Sequence, residues 1–483
     1  MFVTRNLNKK IFFYIFGMNM LFFSVVFFFS GLCSYFFEDD NLPFILSFVF
    51  TFFIGSLLAY RNRNYTSLIS KKDGRLLIGL LWVVMPMFGA LPYLISGFSF
   101  TDSLFESYSG FTTTGASIIK DLSVMPKGLL LYRSLTQWLG GLGFAVFIIM
   151  FLKTLRNGAN NLFNAEFNSI EKEKDSPHIL NTVYKIFTIY FTLTLFCFLL
   201  LLSGDMTWFE ALCHSLSTIS TGGFSVSNGN IGTYDSYSQF IIILFMFLSG
   251  ISYFLFLFIF KAKWKKFFKD EQLRFYVLII FFFALIFFFY HLFFQNFDLF
   301  SAIKVSLFYV VSIVSSTGFD LQVNGLGMLP TIIFIFLMFI GGCSASSSTG
   351  LKIVRVIVLL RYIPVSLKRI FHPRAIIPVR YNGKALRDES VRLIFGFFFL
   401  FLLLFIAGAF LLSIFGNGFI ASLSLSAAAI SNMGPIMGSI AQGFEYADLN
   451  LVSKYVLIVL MLIGRLEIYA FFALFSKSVW SRN

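Results

Sequence analysis

Four short runs of hydroxyl-bearing residues, each closing on a glycine, carry the clearest chemistry in this sequence. The glycines stand at positions 115, 223, 318 and 434. Glycine permits left-handed backbone and close approach, and rings of carbonyl oxygens replace the hydration shell of a permeating cation. We therefore predict a cation filter formed by the residues that end these runs: Thr113, Thr114, Gly115, Thr221, Gly222, Gly223, Ser316, Thr317, Gly318, Asn432, Met433 and Gly434.

The fourth run differs from the other three. Met433 precedes its glycine, and Pro435 follows it. Because proline has no N–H group, the sequence predicts that this quarter of the ring is bonded differently from its neighbours. The residues of the ring indicate a monovalent cation without specifying which, and a sodium or non-selective monovalent cation transporter stays as an alternative.

A second feature is a run of small and hydroxyl residues inside the long apolar segment 327–362. Serine and glycine weaken helical structure, so we expect a loop here that can plug the inner pore. The alternative is a small-residue packing interface between helices. The predicted gate comprises Gly341, Gly342, Ser344, Ser346, Ser347, Thr349, Gly350 and Arg465.

Charged residues inside apolar spans are expected to have a functional or structural role, because placing an unpaired charge in the membrane costs about 2.5–3.5 kcal/mol or more. Arg465 is expected either to line the pore beneath the loop or to form a buried pair with another helix, and Glu467 is a weak candidate for ion coupling. Arg133 is expected to be a structural anchor, and the role of Lys304 is left open.

Two further pairs of charged residues admit simpler interpretations. Lys352 and Arg355 either grip the loop or follow the inside-positive bias. Asp102 and Glu210 each lie thirteen residues before a run-closing glycine. They are expected to complement the dipole at the start of a short helix.

The elements that must position these residues are membrane spans. Of 483 residues, 58% are hydrophobic and only 12% are charged, which excludes a water-soluble surface. Apolar runs long enough to cross a bilayer recur along the chain. Ten spans are predicted, at 11–37, 43–60, 76–96, 127–152, 180–203, 237–260, 275–294, 327–362, 391–415 and 452–476.

The distribution of charge orients these spans. With both termini on the cytoplasmic side, the outer segments and their edges hold thirteen acidic and four basic residues. The remaining 33 basic residues lie inside or within spans, as the positive-inside rule requires. The net charge of +14 therefore indicates membrane topology and contact with lipid, and binding of nucleic acid is excluded.

The polar gaps 153–179 and 363–390 are too short to fold as soluble domains, so a nucleotide-sensing module must be a separate chain. The four cysteines show no paired spacing, and no disulfide framework is expected. The predicted divisions are an N-terminal two-helix unit and four pore repeats, at 1–70, 71–160, 161–268, 269–372 and 373–483.

Several longer motifs resemble those of the Trk-type potassium-uptake membrane subunits (TrkH/TrkG) of the Trk/Ktr/HKT superfamily. They occur in family order over nearly the whole chain, at 109–115, 133–143, 217–225, 315–320 and 464–468. The resemblance implies two initial helices and four pseudo-symmetric helix–pore loop–helix repeats around a central potassium pathway. The expected fold is thus all-α, with ten spans and four re-entrant pore helices in the cytoplasmic membrane.

The resemblance also implies partners and roles. It implies a homodimer with one pore per protomer, and a cytoplasmic nucleotide-binding regulator of the TrkA kind. It assigns residues 341–350 to an intramembrane gating loop. In the similar plant HKT transporters, serine at the first filter glycine goes with sodium preference, so Gly115 favours potassium. Potassium is the transported ion, and no tightly bound cofactor is expected.

Two other classes of function are disfavoured. The four histidines are scattered without metal-binding spacing, and no serine stands in a nucleophile elbow, so we expect no enzyme. A secondary transporter of an organic solute would show two long inverted halves, whereas this chain shows four short units in the same direction.

Overall fold

The computed structural model describes residues 9–63, 71–143, 179–260, 262–323, 327–375, 377–434, 445–466 and 468–475. These residues form helices and one short hairpin. Glu467, Pro435, the gap 153–178 and the end of the predicted span 127–152 lie outside the described residues. The predictions made for them stay predictions.

Two N-terminal helices pack against each other before the first of the predicted repeats. Helix α1 spans Lys9–Phe36 and α2 spans Leu42–Arg61, with Pro43 in the first turn of α2. The helices touch at Gly17 and Gly55, where a Cβ on Gly17 would lie 2.7 Å from the Gly55 carbonyl oxygen. Glycine at this crossing lets the two backbones approach closely, as small residues do between membrane helices.

Four units follow, each with a long helix, a short helix, a turn and a second helix. The first contains α3 (Lys71–Gly89), α4 (Leu91–Ile95), α5 (Phe100–Phe111) and α6 (Lys127–Leu142). The second contains α7 (Ile179–Leu202), α8 (Trp208–Ile219), α9 (Ser236–Ser249) and α10 (Tyr253–Phe260). A small helix, α11 (Trp264–Lys269), leads to the third.

The third unit contains α12 (Glu271–Phe294), α13 (Leu299–Val314), α14 (Met328–Ile340) and α15 (Ile353–Phe371). The fourth contains α16 (Asp388–Ile414), α17 (Phe419–Ile430), α18 (Leu451–Leu466) and α19 (Ile468–Phe475). Between α15 and α16, Arg380–Tyr381 pairs with Lys384–Ala385 in an antiparallel hairpin. The described residues are otherwise helical, and the left-handed Asn382–Gly383 corner of this hairpin suits a two-residue turn.

The short helices α5, α8, α13 and α17 begin at polar or glycine caps. Ser99 caps α5 by accepting from the Asp102 N–H, and Asp298 caps α13. Thr207 and Glu210 form a reciprocal capping box on α8. The prediction that Asp102 and Glu210 lie in the first turns of short helices is confirmed, since acidic groups there complement the helix dipole.

The four units contact one another in a closed cycle. Helix α6 packs against α8, α9 against α13, α14 against α17, and α18 against α5. The second helix of each unit thus meets the short helix of the next, and the fourth unit returns to the first. The C-terminal halves of the short helices and the turns after them are buried, so the centre of the protein is lined with polar turns.

Six of the described helices are long and apolar enough to cross a membrane, and one bent pair would add a seventh. That pair is α9 and α10, which meet at 93° within the predicted span 237–260. Its bend is held from outside, because the Gly250 carbonyl accepts from the Cys343 N–H and the Ala345 carbonyl accepts from the Tyr253 N–H. The count of ten spans stays a prediction.

The predicted span 76–96 is confirmed at Leu76–Ile95, with one irregular residue inside it. Helix α3 ends at Gly89, and the five-residue helix α4 follows after Ala90. A Cβ on Gly89 would lie 2.6 Å from the Ser107 hydroxyl oxygen and close to the Phe111 ring, so α5 packs directly onto this break.

Candidate functional site

The four short helices end in the same left-handed turn. We call Thr113–Gly115, Thr221–Gly223, Ser316–Gly318 and Asn432–Gly434 the first to fourth glycine turns. Their first residues have φ of 56° (Thr113), 54° (Thr221), 64° (Ser316) and 50° (Asn432). The predicted filter residues are therefore brought into four equivalent conformations.

Each turn is a Schellman cap on its helix. In the first turn, the N–H of Thr113 donates to the Gly110 carbonyl at 3.0 Å, and the N–H of Thr114 donates to the Ser109 carbonyl at 2.9 Å. The other turns repeat this pair of bonds, with donors Thr221 and Gly222, Ser316 and Thr317, and Asn432 and Met433. The caps satisfy the last carbonyls of the short helices.

The left-handed residue in these caps is not glycine, which is the usual choice. For a β-branched threonine this conformation is a genuine outlier, at a cost of about 1–3 kcal/mol. The Thr113 and Thr221 hydroxyls donate to the carbonyls of the preceding residues, each at 2.7 Å. The surrounding packing therefore holds strained backbone at two places where the sequence predicts ion ligands.

The caps also determine which backbone groups remain available. Because two successive N–H groups bond back into the helix, the carbonyls that follow them are directed away from it. Among the described residues, no hydrogen bond reaches the carbonyl oxygens of Thr113, Thr221, Ser316 or Asn432. Each turn thus offers one equivalent, unpaired main-chain oxygen.

The first and fourth turns touch each other. The Asn432 side chain donates to the Thr114 hydroxyl at 3.0 Å and to the Met461 carbonyl at 2.7 Å. A Cβ on Gly434 would overlap the backbone of Ala116 and lie 2.7 Å from the Gly115 carbonyl carbon. Glycine at position 434 is required by this close approach between two turns.

The prediction for the fourth turn concerns the N–H group that Pro435 lacks, and it stays a prediction because Pro435 lies outside the described residues. The helix cap of this turn is bonded as in the other three turns. The difference lies at its glycine, because Gly115, Gly223 and Gly318 have φ of 78°, 77° and 79°. Gly434 lies outside the left-handed range.

A buried ion pair secures the segments that leave the first two turns. Arg133 Nε lies 2.7 Å from Glu106 Oε1, and both side chains are almost wholly buried. Arg133 also donates to the Ser117 hydroxyl at 2.9 Å and the Ser225 carbonyl at 3.2 Å. Its guanidinium stacks 4.1 Å from the centre of the Phe224 ring. The prediction that Arg133 is a structural anchor is confirmed.

The segment after the third turn has its own support. Asp320 is buried and accepts from the Tyr309 hydroxyl at 2.8 Å and from the Gln322 N–H at 2.8 Å. The Asp320 carbonyl accepts from the Ile231 N–H at 3.1 Å, which joins this segment to the second unit. Each turn is therefore held by a different set of side chains, although the backbone repeats.

The run Gly341–Gly350 is a buried loop, which we call the serine-rich loop. The alternative of a helix-packing motif is wrong, because no helix forms between α14 and α15. The loop is held internally by hydrogen bonds from the Ser346 hydroxyl to the Cys343 carbonyl and from the Gly342 N–H to Ser348 Oγ. The Ser344 N–H donates to Gln272, and Gly341 and Gly350 adopt left-handed φ.

This loop reaches the ends of three of the four short helices. The Ser347 hydroxyl donates to the Ile219 carbonyl at 3.1 Å, at the end of α8. The Ser316 hydroxyl donates to the Thr349 carbonyl at 3.5 Å. The Thr349 hydroxyl donates to the Ser431 carbonyl. The structure therefore places the predicted gate residues against the third glycine turn and against the helix ends that precede the second and fourth glycine turns.

Arg465 connects the loop to the first unit. Its guanidinium donates to the Ser347 carbonyl at 2.9 Å and to the carbonyls of Gly140 and Gly141 at the end of α6. It also lies 5.5 Å from the centre of the Trp82 ring. Main-chain carbonyls at a helix C-terminus are favourable partners for a cation.

The other cations selected from the sequence lie at the margins. Lys304 donates to the Ser236 hydroxyl at 3.0 Å, so it braces α13 against α9. Arg355 stacks 3.9 Å from the centre of the Phe397 ring on α16. Lys352 is the left-handed residue before α15. The described contacts give none of the three a bond to a glycine turn.

Sequence reasoning missed Gln137, which lies on α6 four residues after Arg133. It is wholly buried and bonds to the backbone of the second turn. Arg133 and Gln137 stand at i and i+4, so they share one face of an otherwise apolar helix. The spacing of this polar pair could have predicted that Gln137 bonds to another element, since buried polar groups require partners.

Metal-ligating clusters and disulfides add nothing to this site. Among the described residues, no group of three His, Cys, Asp or Glu side chains could hold a metal ion. The four cysteines all lie among the described residues, where they are buried and form no disulfide.

The fold and the turns define the class of this protein. It is a multi-pass α-helical membrane protein whose four similar units close into a cycle around polar turns. Residues 42–482 match the TrkH family model, which is described as a cation transport protein. The chain belongs to the TrkH family.

Several individual proteins are similar over nearly their full length. The Trk system potassium uptake protein TrkH of Halomonas elongata is 32% identical over 483 residues, covering 97% of this chain and 98% of that protein. The protein of the same name from Escherichia coli K12 is 31% identical, covering 96% of this chain and 98% of that protein. The crystal structure of the potassium transporter TrkH from Vibrio parahaemolyticus superposes with a TM-score of 0.89 at 30% identity, covering 98% of this chain and all of that chain.

Proposed function

We propose that this chain takes up potassium across the cytoplasmic membrane through a filter made by the four glycine turns. The observation that carries the proposal is the repeated Schellman cap, which presents an unpaired carbonyl oxygen from each quarter of a closed cycle. Such oxygens substitute for the hydration shell of a monovalent cation. The C-terminal ends of the four short helices add favourable electrostatic potential at the same place.

Potassium is preferred over sodium for two reasons. The relatives are named potassium uptake proteins, and all four filter positions predicted to be glycine carry it. Gly115 and Gly318 are left-handed, so a side chain at either position would strain the turn and reorient its carbonyls. The different conformation of Gly434 favours the alternative of weaker selectivity, including sodium or non-selective conduction.

The serine-rich loop is proposed as the gate. It bonds to Ser316 in the third turn and to the helix ends before the second and fourth turns, and these contacts support a position across the inner ends of the turns. Arg465 fastens the loop to α6 and adds positive charge that opposes passage of cations. Opening then requires that these few hydrogen bonds be exchanged for others.

The remaining features of the proposal come from the family. We propose a homodimer with one pathway per protomer, both termini in the cytoplasm, and a separate TrkA-like nucleotide-binding regulatory subunit. Five units at 1–70, 71–160, 161–268, 269–372 and 373–483 remain the proposed division of the chain.

The test is the reversal potential of proteoliposomes holding opposed potassium and sodium gradients. The wild-type chain should reverse near the potassium equilibrium potential, and Gly115→Ser or Gly318→Ser should move the reversal towards that of sodium. Gly418→Ser is the matched control, because it adds the same side chain at an exposed glycine with nothing within 4 Å. Unchanged selectivity in both filter variants would contradict the assignment.

A further inference from the structure

Gln137 forms two hydrogen bonds with the backbone of the second glycine turn, a contact that was not predicted from the sequence. Its Nε2 donates to the Gly222 carbonyl at 2.7 Å, and its Oε1 accepts from the Phe224 N–H at 3.1 Å. The side chain is wholly buried, and a Cβ on Gly222 would overlap its amide carbon. The amide therefore rests directly on the backbone of the turn.

These two bonds hold both peptide planes that flank Gly223. The Gly222 carbonyl belongs to the plane before Gly223, and the Phe224 N–H belongs to the plane after it. In a trans peptide the C=O and N–H point in opposite directions. With the Phe224 N–H directed at Gln137, the Gly223 carbonyl is directed away from α6.

The second turn needs this support because a backbone bond found elsewhere is missing. In the first and third turns, the N–H groups of Gly115 and Gly318 donate back to their helices at 3.4 and 3.2 Å. Among the described residues, the Gly223 N–H makes no such bond. The Gly222 carbonyl and the Gly223 N–H belong to the same peptide plane. Because the carbonyl points towards Gln137, the N–H points away from it.

We propose that Gln137 is a specificity-determining positioning residue that fixes the orientation of the Gly223 carbonyl. This inference rests on the proposed function, in which the filter is made by the carbonyl oxygens of the glycine turns, and it adds the Gly223 carbonyl to them. A glutamine side chain is suited to the role because one amide supplies both a donor and an acceptor. A hydrogen-bonded network that is fully satisfied is rigid, and a filter discriminates between ions by keeping its oxygens in place.

Comparison with the fourth unit indicates which residue could replace Gln137 and fill the same space on α6. Gly464 on α18 packs against the Ile430 carbonyl, just as Gly140 on α6 packs against the Phe111 carbonyl. Three residues before Gly464 stands Met461, which is also wholly buried, at the place that Gln137 occupies on α6. Gln137→Met therefore keeps the side chain's length and removes both hydrogen bonds.

The experiment measures the potassium-to-sodium permeability ratio from reversal potentials of the full-length chain in proteoliposomes. Gln137→Met is expected to lower the ratio about fivefold, the factor that one ordinary hydrogen bond is worth. Gln239→Met is the matched control, since Gln239 is equally buried but bonds only to the carbonyls of Ile231 and Tyr234, outside the turns. The control should keep the wild-type ratio.

Gln137→Glu distinguishes the effect of the two hydrogen bonds on the turn from the effect of filling the space on α6. When protonated, the acid donates to the Gly222 carbonyl and accepts from the Phe224 N–H, as the amide does. When ionised, it can only accept. The ratio for this variant should therefore recover towards the wild-type value as the pH is lowered from about 9 to about 5, a range that covers the pKa of a buried glutamate. The wild-type ratio should stay constant.

The permeability ratios of the two variants decide whether the inference about Gln137 holds. An unchanged ratio in Gln137→Met overturns the inference, and so does a low ratio in Gln137→Glu that does not respond to pH. If Gln137→Met fails to fold, the reversible response of Gln137→Glu alone decides. A wild-type chain without potassium preference contradicts the proposed function instead, so the two failures are distinguishable.

Discussion

Replacing Glu106 by glutamine tests how much the ion pair with Arg133 contributes to the first two units. Glu106 Oε1 lies 2.7 Å from Arg133 Nε and 3.0 Å from the Ser117 hydroxyl, and its Oε2 accepts from the Ile118 N–H at 3.2 Å. Glu106→Gln preserves the shape of the side chain. It removes the negative charge that compensates a buried guanidinium, and it turns one acceptor into a donor.

The expected cost follows from the burial of both partners. Removing one partner of a buried pair costs about 3–5 kcal/mol, because the other charge is left uncompensated. Arg133 keeps its bond to the Ser225 carbonyl and its stacking on Phe224, so we expect the lower end, about 3 kcal/mol. The double variant with Arg133→Met removes the stranded charge, and its cost should fall about 2 kcal/mol short of the sum of the two single costs.

The assay is reversible unfolding in mixed detergent micelles, with the free energy of unfolding measured for the two single variants and the double variant. Asp448→Asn is the matched control, because Lys120 and Asp448 also lie 2.7 Å apart but both are exposed, and exposed pairs contribute little. A loss below about 0.5 kcal/mol for Glu106→Gln would refute the reasoning. Strictly additive costs in the double variant would refute it as well.

Three other predictions follow from the gate, the regulator and one helix cap. Thr349→Val removes the bond to the Ser431 carbonyl and should raise basal potassium flux. Deletion of Gly342–Gly350 should raise it as well. Flux and regulation like those of the wild type would argue against the gate. Nucleotides should alter flux only when a separate regulatory subunit is present, and strong control of the purified chain alone would contradict this. The hydroxyl and N–H of Ser301 lower the pKa of Asp298, so this cap should stabilise the fold above the usual aspartate pKa and lose its effect as the pH falls through the lowered value. Melting temperatures of the wild type and Asp298→Asn should therefore converge in acid.

Most of the helical plan could be predicted from the sequence. The apolar runs predicted α1, α2, α7, α12 and α16 to within a few residues, because hydrophobic length alone determines whether a helix can span a bilayer. The four glycines indicated the four turns for a similar reason, since left-handed backbone and close approach restrict the residue type. The positions of Asp102 and Glu210 at helix starts could be predicted because an acidic side chain interacts with the helix dipole within the first turn.

The breaks in the spans could not be predicted in the same way. The corner between α9 and α10 is held by bonds from Cys343 and Ala345, almost one hundred residues away along the chain. Ser249, Gly250 and Ser252 stand at this corner, and such small residues permit a bend but do not by themselves specify its angle.

Length, hydrophobicity and backbone freedom are properties of the local chain, so a membrane protein with four similar units and a glycine at each turn could be predicted from residue types alone. The contacts that hold each turn depend on the folded arrangement of the helices. The partners of Gln137, Arg133 and Asn432 lie 85, 27 and 318 residues away along the chain. A buried polar side chain must find a partner somewhere, but its identity depends on which helices the fold brings together.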